Sequence, residues 1–463
     1  MKMQLYDYQH KGIEWLIENN GGLLADQVGL GKTIQTLEYI YRQQPSRVLV
    51  LCPAILKWQW KDEVEKWLPN MRVIVIDGNA QERRALWKSA VLGATPDQRP
   101  TIVIANYELL LRDIEDMAVI FWSLIVADEA TRLANPWTKT YKALYKVRSE
   151  VRIALTGTPL INRPTDFWGI LNWCYPGILG KYRVFLDQYA VRNVWGGIWG
   201  FRNIAQLRKR IQPLMIRRTR EEVLTELPEK TTSDVPIQLS EKEWALYDKI
   251  RKELLFEIEA MDISKIEQPT TIQNTLTKML RLRQAANSLE LLGDNKESSK
   301  IEALKELLPI WLNGERKAIL FTFFSGMADL LERELKELKP LKITGEVTKG
   351  REDIIKTFNE GIDNRLLIMT EAGAFGLNIQ AASVVVHCDQ AWSLAKMEQR
   401  IGRAHRLGQT QKVFEYNLIC KKTIDEYILR VLRKKQKMSD DLLGDGDIIN
   451  HKEIKEILTY GTS

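Results

Sequence analysis

The stretch Leu23 to Thr33, LLADQVGLGKT, runs an apolar segment into a glycine-rich turn, a lysine and a hydroxyl, and IQTLEYIYRQ follows with helical spacing of its apolar residues. A strand that ends in a glycine turn and restarts as a helix commits the chain to an α/β architecture. Gly29 and Gly31 carry no Cβ, so the backbone can wrap closely and aim successive N–H groups, with the positive end of the helix, at an anion. Lys32 adds a full positive charge, and the Thr33 hydroxyl suits Mg2+. The usual pattern is GxxxxGK[ST], and Asp26 stands here in the place of its first glycine. Without a partner motif, the stretch would read as a glycine-rich helix cap with no ligand.

The partner lies beyond a series of short apolar runs. VLVLC (Val48 to Cys52), VIVI (Val73 to Ile76), TIVIA (Thr101 to Ala105), LIVA (Leu124 to Ala127) and RIAL (Arg152 to Leu155) are separated by helix-compatible sequence. Continuous apolar strands alternating with helices imply a parallel sheet covered on both faces. Ligands of such sheets bind at the carboxyl ends of the strands, where CPAILKWQW, ANYE, ADEATR and LTGTP begin. In ADEATR, an acidic pair directly after a strand puts Asp128 at Mg2+ and Glu129 where it can polarise an attacking water. Loop and acid pair together predict hydrolysis of a Mg2+-bound nucleotide. Gln9 stands ahead of the loop, and its planar amide, accepting and donating at once, suits the Hoogsteen edge of adenine.

From Leu160 to Arg316 no run of parallel-sheet strands is expected, and the segment is too long to be loop, so helical inserts are predicted. LPEK (Leu227 to Lys230) reads as a hinge. KAILFTF, LLIMT, VVVHC and VFEYNLI then restore the alternation between Lys317 and Ile419, implying a second α/β lobe without a phosphate loop of its own. In QRIGRAHRLGQ, Arg403 and Arg406 read as one helical turn apart, placed to face a triphosphate as arginine fingers. Without a nucleotide they would be a helix-surface pair. The predicted fold class is α/β, two RecA-like parallel-sheet lobes with helical inserts. Lobe 1 spans 1–230 with an insert at about 165–215, and lobe 2 spans 231–463 with an insert at about 240–300.

The 463 residues leave room for both lobes and a large core. No apolar run reaches about 18 residues and MKMQLYDYQH lacks the apolar stretch of a secretory signal, so a soluble, intracellular chain with no membrane partner is expected. Four cysteines with no CxxC pair and four dispersed histidines suggest neither a disulfide framework nor a zinc site. The formal charge is +7. Basic residues bunch between Arg202 and Arg220 (Arg208, Lys209, Arg210, Arg217, Arg218, Arg220) and again from Arg430 to Lys437, which suits a polyanion.

LYDYQHKGIEWL, DQVGLGKT, CPAILKWQWKDEVEKW, DEATRLAN, LTGTPLIN, MIRRTREEVLTELPEK, ILFTFFS, TEAGAFGLNIQAA and QRIGRAHRLGQ resemble, in order and over nearly the whole chain, the motifs of the Swi/Snf family of superfamily-two helicase-like ATPases. The resemblance implies a double-stranded DNA translocase with DNA-stimulated ATP hydrolysis and no obligatory strand separation. It assigns catalysis to Lys32, Asp128, Glu129, Arg403 and Arg406, and Mg2+ to Thr33 and Asp128. It places Gln9, Asp26, Gln27, Val28, Gly29, Leu30, Gly31, Lys32, Thr33 and Gly376 around the nucleotide. Pro53, Tyr107, Thr156, Thr322, Thr370 and Trp392 would lie along the DNA groove, with Thr156 and Thr158 coupling nucleotide state to DNA grip. TIDEYILRVLRKKQKM, about 423–438, resembles the family's brace helix. Three positions depart from the family pattern: Gln27 for the usual Glu, Thr131 for the usual His, and WSL at Trp392 for the usual WNP. The implied partners are double-stranded DNA and a targeting protein, served by a monomeric motor, cytoplasmic and nucleoid-associated in a prokaryotic or viral source and nuclear in a eukaryotic one. Two rivals share these motifs: a strand-separating DNA or RNA helicase, and an ATP-gated DNA-binding clamp with slow turnover.

Overall fold

The structure, a computed structural model, describes residues 5–92, 99–157, 164–192, 198–223, 228–260, 269–294, 297–346, 350–371, 373, 379–406 and 408–442. It forms two compact units, Met1–Thr225 with Lys437–Gly446, and Glu226–Gln436 with Asp447–Ser463. Among the described residues no helix is long and apolar enough to cross a membrane.

The first unit carries β1 (Gly21–Leu24), β2 (Arg47–Cys52), β3 (Arg72–Val75), β4 (Thr101–Asn106), β5 (Trp122–Asp128), β6 (Ser149–Leu155), β7 (Ala190–Arg192), β8 (Ile198–Phe201) and β9 (Met215–Ile216). Seven of these make one parallel sheet in the order β3-β4-β2-β5-β6-β1-β9, while β7 and β8 pair antiparallel on their own. Helices cover both faces, which is why the strands are apolar without alternation. Along β2, Leu49 and Leu51 enter one core with Trp87, Trp122 and Trp173. Val48, Val50 and Cys52 enter the other with Ile13, Leu37 and Trp60, from the helices Asp7–Glu18, Lys32–Gln43 and Lys57–Trp67.

Register then positions the motifs. Leu24 of β1 pairs with Leu155 of β6 and with Ile216 of β9, and Leu155 pairs with Asp128 of β5. The glycine loop after β1, the acid pair ending β5, Thr156 after β6 and the arginines after β9 therefore leave one carboxyl edge side by side.

The second unit carries β10 (Lys230–Ile237), β11 (Lys317–Thr322), β12 (Leu341–Ile343), β13 (Leu366–Thr370), β14 (Ala382–His387) and β15 (Val413–Cys420). They too form a single parallel sheet, in the order β10-β15-β14-β11-β13-β12. Ala318, Leu320, Ile368, Val384 and Val386 face a core with the helices Glu241–Ala260, Pro269–Asn287, Ser299–Trp311 and Ile424–Leu442. Ile319, Phe321, Leu367, Met369 and Val385 face the other, with Ile355 and Phe358 of Arg351–Glu360. The chain is thus an α/β protein of two parallel, RecA-like sheets.

The stretch between Leu160 and Arg316 differs from expectation. It is largely helical, but it also supplies β9 and β10 to the two parallel sheets and the β7–β8 pair. β10 reads KTTSDVPI and alternates between exposed and half-buried residues, as an edge strand does. Pro236 sits in it without penalty because an edge strand has a free side.

Candidate nucleotide site

Gly29 and Gly31 take φ of 94° and 75°, the left-handed backbone that a glycine adopts at no steric cost. Gly31 caps the helix Lys32–Gln43, whose first-turn amides have no intrahelical acceptor and point out of the helix end. A Cβ on Gly31 would meet Gln9 Nε2 at 2.5 Å, so the Gln9 amide lies directly on the loop. Gln9 is buried; it donates to the Leu30 carbonyl (3.3 Å) and accepts from the Tyr6 amide (3.0 Å), which fixes its plane.

Lys32 Nζ donates to the Asp26 carbonyl at 2.7 Å. Burial pushes its ammonium below the ordinary lysine value, against the opposing pull of Glu129, Asp26 and Asp128. Asp128 is held from both ends: Oδ2 accepts from Trp60 Nε1 at 2.8 Å, Oδ1 accepts from the Glu129 amide at 2.9 Å, and its carbonyl accepts from the Tyr107 hydroxyl at 2.8 Å. Burial raises the Asp128 carboxyl, with Trp60 and Lys32 restraining the rise. Glu129 sits at φ 52°, ψ 52°, a backbone that costs a side-chain-bearing residue about 1–3 kcal/mol. The Thr131 hydroxyl reaches back to the Glu129 carbonyl at 3.4 Å. These residues fit a Mg2+-bound triphosphate: left-handed glycines, free helix-end amides, one lysine among carboxylates, and a hydroxyl and a carboxylate of the oxygen class that Mg2+ takes.

Sequence reasoning missed Trp60, which lay within CPAILKWQW as an apolar residue, and missed the roles of Arg218 and Arg220. Both arginines were grouped with a polyanion-binding patch, yet they serve the loop. Arg220 is buried, its guanidinium donates to the Val28 carbonyl, and its amide donates to Gln27 Oε1 at 2.8 Å. The atom Gln27 uses is an oxygen that a glutamate also carries, so this departure from the family pattern preserves the contact. Of that patch, Arg208, Lys209 and Arg210 lie exposed on a helix, Ile204–Ile211, with Arg210 Nη2 donating to the Ile178 carbonyl at 2.9 Å.

Of the residues expected along a DNA groove, Tyr107, Thr156 and Thr322 are 2%, 1% and 0% exposed. Tyr107 buttresses Asp128, as above. Thr322 donates to Asp389 Oδ2 at 2.7 Å, and the Phe323 amide donates to both oxygens of that carboxylate. Pro53 and Trp392 are half-buried, and Arg283 stacks over the Trp392 ring at 5.1 Å.

In the second unit, a pocket of about 520 Å³ is lined by Phe323, Ser325, Thr370, Lys396, Arg400 and Arg403, among others. Lys396 and Arg400 both bind Glu371, at 2.6 and 2.9 Å. Although burial alone would raise it, Asp389 is held below the usual carboxylate range by Arg283 and Arg400. The helical spacing inferred for Arg403 and Arg406 is not observed: the helix Leu394–Ile401 ends before both, which lie in the irregular turn that follows. Thr158 and Gly376 fall outside the described residues.

A parallel α/β sheet with a lysine-bearing glycine loop and an acid pair on one carboxyl edge defines a nucleotide-hydrolase type of site. The SNF2-related domain matches residues 8–291 and the helicase conserved C-terminal domain matches 299–408. The chain therefore belongs to the SNF2 family of ATP-dependent, helicase-type enzymes. It is 32% identical to an uncharacterized ATP-dependent helicase of Mycoplasma genitalium over 94% of this chain and 42% of that protein. It is 28% identical to the ISWI chromatin-remodeling complex ATPase ISW1 of Saccharomyces cerevisiae over 95% of this chain and 40% of that protein. The chain thus spans less than half the length of these two relatives. The Sulfolobus solfataricus SWI2/SNF2 ATPase core in complex with dsDNA is 29% identical, covering 100% of this chain and 96% of that one, with a TM-score of 0.46.

Proposed function

We propose that this chain is an ATP-driven motor on double-stranded DNA, hydrolysing ATP faster when the duplex is bound and moving without obligatory strand separation. The observation that carries the reading is the shared carboxyl edge: the left-handed glycine loop, Lys32 and the Asp128–Glu129 pair converge there from β1 and β5. The loop amides and Lys32 bind the phosphates, Thr33 and Asp128 hold Mg2+, Glu129 takes a proton from the attacking water, and Gln9 reads the adenine. Arg403 and Arg406 act as arginine fingers, stabilising charge on the transferred phosphoryl group. Bound Mg-ATP supplies the bond that is cleaved.

The duplex partner is inferred from the family and from the exposed Arg208, Lys209 and Arg210. Phosphate contacts of this kind give weak sequence preference and strong salt dependence. Residues 1–230 and 231–463 serve as the two motor lobes of a monomer, with target choice left to a partner protein. ATP hydrolysis is expected to rise with duplex DNA and to be lost in Lys32→Ala and Glu129→Gln. A rate indifferent to duplex DNA would overturn the motor reading, and displacement of one strand from a forked duplex would make it a strand-separating helicase.

A further inference from the structure

Asp26 puts a carboxylate into a phosphate loop. It replaces the usual first glycine, is 0% exposed, and brings a negative charge to a loop whose proposed ligand is a polyanion. Its counter-ion comes from 192 residues away. Arg218 Nε donates to Asp26 Oδ1 at 2.9 Å and Nη2 donates to Oδ2 at 2.5 Å, a bidentate pair of the strong kind. Gln35 closes the ring, its Nε2 donating to Asp26 Oδ2 (3.0 Å) and its Oε1 accepting from Arg218 Nη2 (2.9 Å). Arg218 Nη1 donates to the Tyr8 carbonyl, and the guanidinium stacks over the Tyr8 ring at 5.3 Å. A Cβ at Gly12 would strike both Gln35 Oε1 and Arg218 Nη2. The helix Asp7–Glu18 thus carries a glycine where it crosses the latch.

We infer that Arg218 is a positioning residue for nucleotide binding: it neutralises Asp26 and ties the loop, the Gln9 helix and the strand β9 into one rigid cradle, without touching the nucleotide. The inference rests on the proposed nucleotide site. Take away Arg218 and a buried carboxylate is left beside the proposed phosphate site, within the electrostatic reach of Lys32. Lys32 already donates to the Asp26 main chain, so an ionised Asp26 side chain would compete for the charge that the phosphates need.

The test is Mg-ATP affinity, measured by calorimetric titration of the whole chain, in a charge-rescue cycle. Arg218→Gln is expected to weaken binding about tenfold or more through the uncompensated charge, and Asp26→Asn in the same chain is expected to restore most of it. Arg220→Gln loosens the Val28 carbonyl without changing the charge on Asp26, so any loss it causes is expected to persist when Asp26→Asn is added. Arg218→Lys keeps the charge but loses the bidentate fork and the stack on Tyr8, so it is expected to weaken binding by less than about tenfold; if the Gln variant does not fold, a loss of about tenfold or more in Arg218→Lys overturns the inference. Unchanged affinity in a folded Arg218→Gln, failure of Asp26→Asn to rescue it, or a loss in Arg218→Lys as deep as in Arg218→Gln overturns the inference. If the parent itself does not bind Mg-ATP, it is the nucleotide site that fails, a separate and prior result.

Discussion

The most exposing perturbation of the proposed chemistry is Trp60→Phe, which removes the hydrogen bond to Asp128 and leaves a small buried cavity whose cost is read separately as stability. Trp60 is 2% exposed in the helix Lys57–Trp67 and its indole donates to Asp128 Oδ2 at 2.8 Å. Phenylalanine keeps one aromatic ring in the core that Trp60 shares with Val64 and Leu37 but presents carbon to the carboxylate. The Glu129 amide on Oδ1 and the Tyr107 hydroxyl on the Asp128 carbonyl remain. The loss is therefore confined to one oxygen, free to rotate away from the position where it would meet Mg2+. A hydrogen bond to an ionised group is worth about 1.5–3 kcal/mol, which converts to roughly 10–150-fold in rate or affinity. That agrees with the about 10–100-fold cost of removing an outer-shell partner from a metal ligand. Initial ATPase rates across a Mg2+ titration at fixed ATP, with a thermal melt to verify folding, should show a higher half-saturating Mg2+ and a lower kcat/KM. A folded Trp60→Phe protein with the parent's Mg2+ dependence and kcat would refute the role of this contact, and with it the placement of Asp128 at the metal.

Three further outcomes follow from the packing. Lys300 and Asp425 form an ion pair at 2.7 Å with both side chains buried, so Lys300→Met leaves an uncompensated carboxylate and should cost about 3–5 kcal/mol in urea-melt stability; a loss under 1 kcal/mol would show that water reaches the site. His387 is fully buried with Nε2 3.1 Å from Glu415, and burial pushes its imidazole below the ordinary 6.5, outweighing the raising pull of that carboxylate. A depressed histidine contributes stability that is present above pH 6.5 and lost as pH falls toward its folded value, so the denaturation midpoint should drop on acidification below neutrality and lose part of that drop in His387→Gln. Gly12→Ala forces a methyl against Gln35 and Arg218; it should destabilise by about 1–3 kcal/mol, read as a lower Tm.

What the sequence made legible was whatever is buried on both sides or strained at a glycine. The strands β2, β4, β5, β6, β11, β13 and β14 stood out because each holds an apolar run in a doubly covered sheet, and β15 did so although Glu415 and Asn417 interrupt it. β10 did not, since an edge strand facing water along half its length has no reason to be apolar, and β9 and β12 are too short to show a pattern. The same distinction governs the site. Lys32 and Thr33 were readable because they open the helix that follows the β1 loop, and Asp128 and Glu129 because they lie at the end of β5. The hydrogen-bond partners of Trp60, Tyr107, Arg218 and Thr322 were not legible because they lie 21 to 210 residues away. Threonine and tyrosine at a strand's carboxyl end look available to a ligand, yet Thr322 and Tyr107 turn inward to hold Asp389 and Asp128. One sequence signal did point to the hidden network. A carboxylate in place of a phosphate loop's first glycine calls for a cation, and the RRTR segment offers Arg217, Arg218 and Arg220 within four residues, so it is the register of β9 with β1 that makes Arg218 the partner.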